Sequence, residues 1–222
     1  MKKSQLCVLL LVFGLTTNCQ NELTGFKNSS TANEPNLKLN SSVIISTNVA
    51  AKNGDFVAYD FEDTFSGKHK RIHRLVAQEN DIIEIKNGLL YINKTNDDAN
   101  RNLIHFYLLP KKDYLDIKRK EKMGDEFMAM AIGSDSVQAM LESRVAKDYD
   151  WEAQRKIVKP GEQDNAIKSI FMQNWNMDNF GPLTIPKNKV FVLGDNRHNS
   201  EDSRYIGLID KSQILGVVVV KE

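Results

Sequence analysis

The chain has 222 residues, of which 27% are charged and 8% are aromatic. Its 30 basic and 29 acidic residues give a formal net charge of +1, which argues against the broad basic surface that nucleic-acid binding requires. Only two cysteines occur, Cys7 and Cys19. The sequence therefore excludes a disulfide framework and a cysteine-rich metal site.

The N-terminus predicts export. Lys2 and Lys3 precede an apolar run over 6–15, and a run of about ten residues is too short to span a bilayer but typical of an export signal. The run ends in Leu-Thr-Thr-Asn-Cys19, which is similar to a lipoprotein processing site with Cys19 as the lipidated residue. We predict a lipoprotein-type signal over 1–19 and a bacterial cell-envelope protein held at the membrane by its lipid; an uncleaved, anchoring signal is the alternative.

Residues 20–36 are rich in Asn, Ser, Thr, Glu and Lys, a composition that predicts a flexible tether. From residue 37 onward, short runs of β-forming residues alternate with turn signals, which favours a mainly β, antiparallel core. Asn87-Gly88 predicts a hairpin, because both central residues of a type I′ turn need positive φ. The predicted strands cover 42–45, 56–61, 72–77, 82–85, 89–92, 103–109, 190–193 and 214–220.

The middle of the chain, 94–173, differs in pattern and is predicted to be an α-containing insertion. Residues 111–122 are highly charged, and Ser134-Asp135-Ser136 is typical of a helix start. The apolar side chains that would form one stripe of this helix are predicted to pack in the core; they are Val137, Met140, Leu141 and Val145.

The most informative segment is 190–207. Its apolar strand over 190–193 ends at the turn Gly194-Asp195-Asn196. Ser200, Asp202, Ser203 and Arg204 follow within a few residues, so that hydroxyls, a carboxylate and a guanidinium share a small volume.

Gly194 to Gly207 resembles the C-terminal signature of the type I signal peptidase family, Gly-Asp-Asn-Arg-x-Asn-Ser-x-Asp-Ser-Arg-aromatic-x-Gly. Two further segments, 174–186 and 72–93, are similar to other stretches of that family. The resemblance implies a signal-peptidase-like antiparallel β core over 37–93 and 174–222. It also implies a membrane-associated serine endopeptidase that acts on signal peptides and uses no cofactor.

The resemblance places His73, followed by Arg74, where most of the family has its general-base lysine. Relatives of the endoplasmic reticulum and of archaea carry His-Arg there. An imidazole titrates near neutrality without heavy desolvation, so it is suited to accept a proton. The alternative is an ordinary half-buried strand histidine.

The family's nucleophile stands in Ser-Met-x-Pro-Thr-Leu, shortly before a Gly-Asp pair. Counting back from Gly54 places Ser46 at the serine, with Ser41 and Ser42 as alternatives, although the Met, Pro and Thr are missing. The family usually has two Gly-Asp turns before the base, and if Gly54 corresponds to the second, the serine has no counterpart here. The alternative for Ser46 is a structural hydroxyl in a strand.

The resemblance also gives roles to the C-terminal cluster. Ser200 would contact the base, while Asp202 and Arg204 would form a bracing ion pair. In the histidine-bearing branch an aspartate orients the imidazole, which makes Asp202, or alternatively Asp195, the third member of a Ser46–His73–Asp202 set. Asn196 and Arg74 are further supporting candidates.

A metal site is not predicted. His69 and His73 lie four residues apart, but no acidic third ligand is close in sequence. The neighbours of His105 and His198 are not typical of ligand clusters either.

Two functions follow from these observations. One is a signal peptidase I-like serine endopeptidase in which Ser46 attacks and His73 accepts the proton, with an extended signal peptide as the partner. The other is an inactive lipoprotein of the same fold that serves as a binding or scaffold protein. The sequence leaves the oligomeric state open.

Overall fold

A computed structural model describes residues 23–124 and 129–221. The predicted signal and the lipidation site Cys19 lie outside the described residues. The strands, in chain order, are β1 (Leu23–Lys27), β2 (Ser42–Ser46), β3 (Phe56–Asp63), β4 (Gly67–Gln78), β5 (Ile82–Lys86), β6 (Leu89–Ile92), β7 (Thr95–Asn96), β8 (Ile104–Pro110), β9 (Ala129–Ile132), β10 (Ser136–Glu142), β11 (Phe180–Thr184), β12 (Lys189–Leu193), β13 (Ile209–Asp210) and β14 (Ile214–Lys221). The α-helices are α1 (Lys111–Lys120), α2 (Ser143–Asp148), α3 (Asn165–Phe171) and α4 (Ser203–Ile206).

The largest sheet has seven strands in the order β1-β2-β14-β3-β4-β12-β13, and all its pairs are antiparallel. Its strands carry the branched and aromatic side chains that favour a pleated, half-buried surface. The middle of the sheet buries one cluster of them, which comprises Val57, Tyr59, Leu75, Val190, Val192, Ile209 and Val217. The predicted fold class, mainly β with an antiparallel core, is confirmed.

A four-stranded sheet, in the order β11-β5-β6-β7, covers a second apolar cluster. Its hairpin between β5 and β6 turns at Asn87 and Gly88, whose φ angles are 50° and 72°. Both central residues thus adopt the positive φ that the Asn-Gly pair predicted.

The helix predicted to start at Ser134 is wrong. Residues 136–142 form β10, the central strand of a third sheet in the order β8-β10-β9, and a helix begins only at Ser143. Val137, Met140 and Leu141 are buried as predicted, but on a strand. Five consecutive residues of β10 are buried. Their sequence therefore lacks the alternation of apolar and polar residues that would have distinguished a strand from a helix.

The predicted tether over 20–36 is wrong for its described part, 23–36. Residues 23–27 form β1, which pairs with β2 along its whole length. The Asn28 side chain, 3% exposed, donates to the carbonyl of Lys38 at 2.8 Å, and Asn33 donates to the carbonyl of Ile72 at 2.6 Å. The asparagines that led to the prediction of a tether instead fix the backbone here, because their buried amide groups require hydrogen-bond partners.

Candidate active site

The candidate site lies where β4 and β12 run side by side. His73 and Arg74 stand on β4, and the turn that begins at Gly194 leaves the end of β12 beside them. Gly194 is required at this turn, because a Cβ there would overlap the Ser200 hydroxyl and the Ala32 carbonyl oxygen. The strand pairing and this close approach bring three distant chain segments together.

His73 is buried, with 4% of its surface exposed, and both ring nitrogens have partners. The Tyr59 hydroxyl lies 2.8 Å from Nδ1, and Ser200 Oγ lies 3.3 Å from Nε2. Burial lowers the pKa of His73 from 6.5 to about 4, with the positive charges of Arg71 and Arg204 adding to the effect and Asp202 opposing it. The imidazole is therefore neutral at pH 7.

The hydrogen-bond network assigns the tautomer of His73. Within the described residues, Nδ1 is the one partner of the Tyr59 hydroxyl, and burial raises the pKa of Tyr59, so this hydroxyl keeps its proton. A buried O–H group needs an acceptor, so Tyr59 donates to Nδ1 and the ring proton resides on Nε2. His73 consequently donates to Ser200 Oγ, which is the opposite of what a general base does to a nucleophile.

Asp202 and Arg204 form the ion pair that the resemblance implied. Arg204 Nε and Nη2 lie 2.9 and 2.8 Å from the two carboxylate oxygens, and both side chains are buried. The same carboxylate accepts from the backbone N–H of Gly194 at 3.0 Å. Burial raises the pKa of Asp202, but the charge and the hydrogen bond of Arg204, together with smaller contributions that include the backbone N–H of Gly194, outweigh it, so the net pKa is lowered. The carboxylate acts on His73 through its charge, since no hydrogen bond joins the two in the described part of the chain.

The other supporting candidates brace the same turn. Arg74 Nε donates to Asp195 at 2.7 Å, so the residue next to His73 is fixed to the turn after β12. Asn196 is completely buried, and its backbone N–H donates to the Ala32 carbonyl at 2.9 Å. Asp195 is therefore paired with Arg74 and does not orient the imidazole.

The structure does not bring Ser46 and His73 together. Ser46 lies opposite Val217, Val217 lies opposite Val57, and Val57 lies opposite His73. Three steps between adjacent strands amount to about 14 Å. Ser46 is a buried hydroxyl in a strand, and the predicted Ser46–His73–Asp202 set is not formed.

The alternatives Ser41 and Ser42 do not reach His73 either. Ser41 Oγ donates to the carbonyl of Lys38 at 2.6 Å, and Ser42 begins β2 at the side of Lys27. In the described ranges, Tyr59 and Ser200 supply the hydroxyls that contact the imidazole.

The segment beside Ser200 and His73 is 28–36 instead. The Ala32 carbonyl packs against Gly194, as Ser200 Oγ does, and Asn33 is bonded to the residue before His73. Together with β4 this segment encloses a cavity of about 350 Å³. Its lining residues include Thr31, Ala32, Ile72, His73 and Asn199.

The family whose description reads signal peptidase, peptidase S26, matches residues 3–221. The chain belongs to this family. Signal peptidase I S of Bacillus subtilis is 60% identical over 40 residues, which are 18% of this chain and 22% of that protein. Signal peptidase I of Aquifex aeolicus is 40% identical over 62 residues, 28% of this chain and 24% of that protein. The matches thus span about a quarter or less of these relatives.

A crystal structure of a signal peptidase I from Enterococcus faecalis superposes on 77% of this chain and 98% of that chain, with 19% identity and a TM-score of 0.36.

Because residues 28–36 lie beside His73, they can be compared with the family's serine motif. Ala32-Asn-Glu-Pro35-Asn-Leu37 has Pro and Leu at the spacing of Ser-Met-x-Pro-Thr-Leu, and this alignment puts Ala32 at the serine. Counting from Gly54 missed it, whereas Pro35 and Leu37 were a signal that could have found it. Among the described residues, Ser200 is then the serine in contact with His73.

Two further findings concern metals and membranes. No group of three or more His, Cys, Asp or Glu side chains suited to a metal ion occurs in the described part of the chain. None of the helices over 23–124 and 129–221 is long and apolar enough to cross a bilayer.

Proposed function

We propose that this member of the signal peptidase family binds signal peptides, or similar extended export segments, without hydrolysing them. The observation that carries the proposal is the position of Ala32 in the segment beside His73. By the spacing of Pro35 and Leu37 it aligns with the family's serine, and it has no hydroxyl. A serine protease needs an oxygen nucleophile within hydrogen-bond reach of its general base. A methyl group at this place removes the nucleophile and leaves the cavity.

The surroundings of His73 support the same proposal. Its Nε2 proton points to Ser200, and the Asp202 carboxylate is occupied by Arg204 and Gly194. With a pKa of about 4, the imidazole is also a weak base at neutral pH. We further propose that His73 takes the place of the family's lysine and fills the site with a neutral, hydrogen-bonded ring.

The cavity beside His73 is suited to an extended peptide. One wall comes from β1 and the segment after it, and the other from β4. Extended peptides bind beside strands through backbone hydrogen bonds, with side chains in adjacent pockets. Since the Ser200 hydroxyl accepts from His73, its own hydrogen remains available for a peptide carbonyl. We further propose that lipid at Cys19 holds the protein at the membrane, where export signals are presented.

The experiment uses the full chain and a fluorescent signal peptide, with binding followed by anisotropy and cleavage by mass spectrometry. We expect saturable binding and an intact peptide. Ser29 lines the cavity and is exposed, so Ser29→Trp should weaken binding, whereas Ser134→Trp, at an exposed turn of the third sheet, should not. Absence of binding, or equal binding by the two variants, would refute the proposal.

One observation favours a second candidate, a serine endopeptidase of the signal peptidase type. Ser200 Oγ lies 3.3 Å from His73 Nε2, a distance at which a serine can pass its proton to a histidine of the opposite tautomer. The same assay separates the two functions. Cleavage that Ser200→Ala abolishes, and that Ser169→Ala on the exposed face of α3 retains, would establish Ser200 as a nucleophile and displace our proposal.

A further inference from the structure

A second cavity, of about 670 Å³, shares no lining residue with the cavity beside His73. The loop 98–103 forms one wall, and residues of α2 form another. His105 and Tyr107, both on β8, line it together with Arg155. This cavity is therefore independent of the proposed peptide site.

His105 has an unusual environment. Its ring is 2% exposed, and Nδ1 has no hydrogen-bond partner within the described residues. Burial, together with the positive charge of Arg155 and Arg197, lowers its pKa well below 6.5, so the ring is neutral. A buried polar atom without a partner costs free energy, and the same residue stands in the wall of the cavity.

The charges around the cavity are unbalanced. Its four cationic side chains outnumber its three acidic ones. Asp98 is committed to Arg197, outside the cavity, with oxygens 2.6 and 2.7 Å from the guanidinium. Asp148 is paired with Arg144 at 3.2 Å. Glu152 is thus the remaining acid, whereas Lys147 and Arg155 form no ion pair with any residue of the described ranges.

We propose that this cavity binds the phosphate group of a ligand. Arg155 and Lys147 supply the charge. One nitrogen of the Arg155 guanidinium donates to the Asn87 carbonyl at 2.8 Å, and its remaining N–H groups form a planar set of donors of the kind that matches phosphate oxygens. His105 supplies a neutral N–H donor from the cavity wall, and the hydroxyl of Tyr107 adds another. The tetrahedral oxygens of a phosphate accept from donors that converge from several sides, whereas the acceptor sites of a carboxylate lie near one plane.

The test uses the full chain labelled with ¹⁵N and titrated with inorganic phosphate, while the imidazole resonances of His105 are followed by NMR. We expect saturable shifts at His105. Arg155→Gln and Lys147→Gln should each weaken phosphate binding about tenfold or more, because each removes a charged hydrogen-bond donor. Lys147 is exposed on α2, so its variant should remain folded. Arg119→Gln, whose side chain on α1 is 77% exposed, is the matched control.

A parallel titration with glycerol 1-phosphate distinguishes the source of the phosphate group. Tighter binding of this compound indicates a phospholipid headgroup, and tighter binding of inorganic phosphate indicates a soluble ion. The proposal is overturned when neither compound shifts His105 saturably, or when both the Arg155 and Lys147 variants bind as tightly as the control.

Discussion

Replacement of His73 by Gln should abolish part of the pH dependence of stability. The folded protein holds the pKa of His73 at about 4, against 6.5 for an unperturbed histidine. Between these two values the unfolded chain takes up a proton that the folded chain does not bind. As far as it depends on His73, the free energy of unfolding is therefore highest above pH 6.5 and falls as the pH is lowered towards 4.

The magnitude follows from the size of the shift. At about 1.4 kcal/mol per pKa unit, His73 accounts for about 3 kcal/mol of stability lost across this window. Gln retains a polar amide of similar length but does not titrate. Its variant will be less stable at pH 7, yet it should lose about 3 kcal/mol less than the parent when the pH falls.

Urea unfolding, followed by tryptophan fluorescence at pH values from about 7 to about 4, measures this difference. Ser169→Ala, on the exposed face of α3, is the control because it removes no titratable group. Its pH dependence should match that of the parent. Parallel curves for the parent and the His73 variant would refute the assignment of a neutral, buried imidazole.

Three further predictions concern neighbouring residues. Arg204→Met should destabilise the fold by about 3–5 kcal/mol in urea unfolding, because it leaves the Asp202 charge buried and unpaired; a loss below about 1 kcal/mol, typical of surface pairs, would contradict this. Tyr59→Phe removes the donor to Nδ1 and should convert His73 from one tautomer to a mixture, visible in its ¹⁵N imidazole shifts; unchanged shifts would show that Tyr59 does not set the tautomer. Gly194→Ala should cost about 1–3 kcal/mol through overlap at the crowded turn, and a neutral effect in thermal unfolding would show that the turn can open.

Much of the β core could be predicted from the sequence. The strands around Phe56, Ile72 and Val190 carry β-branched and aromatic residues bounded by turn signals, and the Asn87-Gly88 hairpin follows from its φ requirement. The strand over 136–142 could not, because a fully buried strand has no alternation to separate it from a buried helix segment.

The candidate site was predictable where residues are contiguous. The brace between Asp202 and Arg204 lies within three positions of sequence, and local geometry alone brings it together. Which residue lies next to His73 across the sheet depends instead on the order of the strands, and the sequence did not reveal that order. Ser46 is on the correct sheet, but β14, the last strand of the chain, lies between β2 and β3 and separates the two residues. Ala32 contributes a backbone contact that its own side chain does not indicate, and only the spacing of Pro35 and Leu37 pointed to it.

The buried pair of Asp202 and Arg204 has a consequence for recognising proteases by their signatures. Its bonds hold the turn at Gly194 and the backbone of Arg197, so its removal would damage the fold whether or not a peptide bond is ever cut. A sequence signature that consists of such residues therefore identifies the fold and not the catalytic activity. Catalytic competence depends instead on whether a hydroxyl stands where it can attack beside the base, and the bracing residues do not determine this.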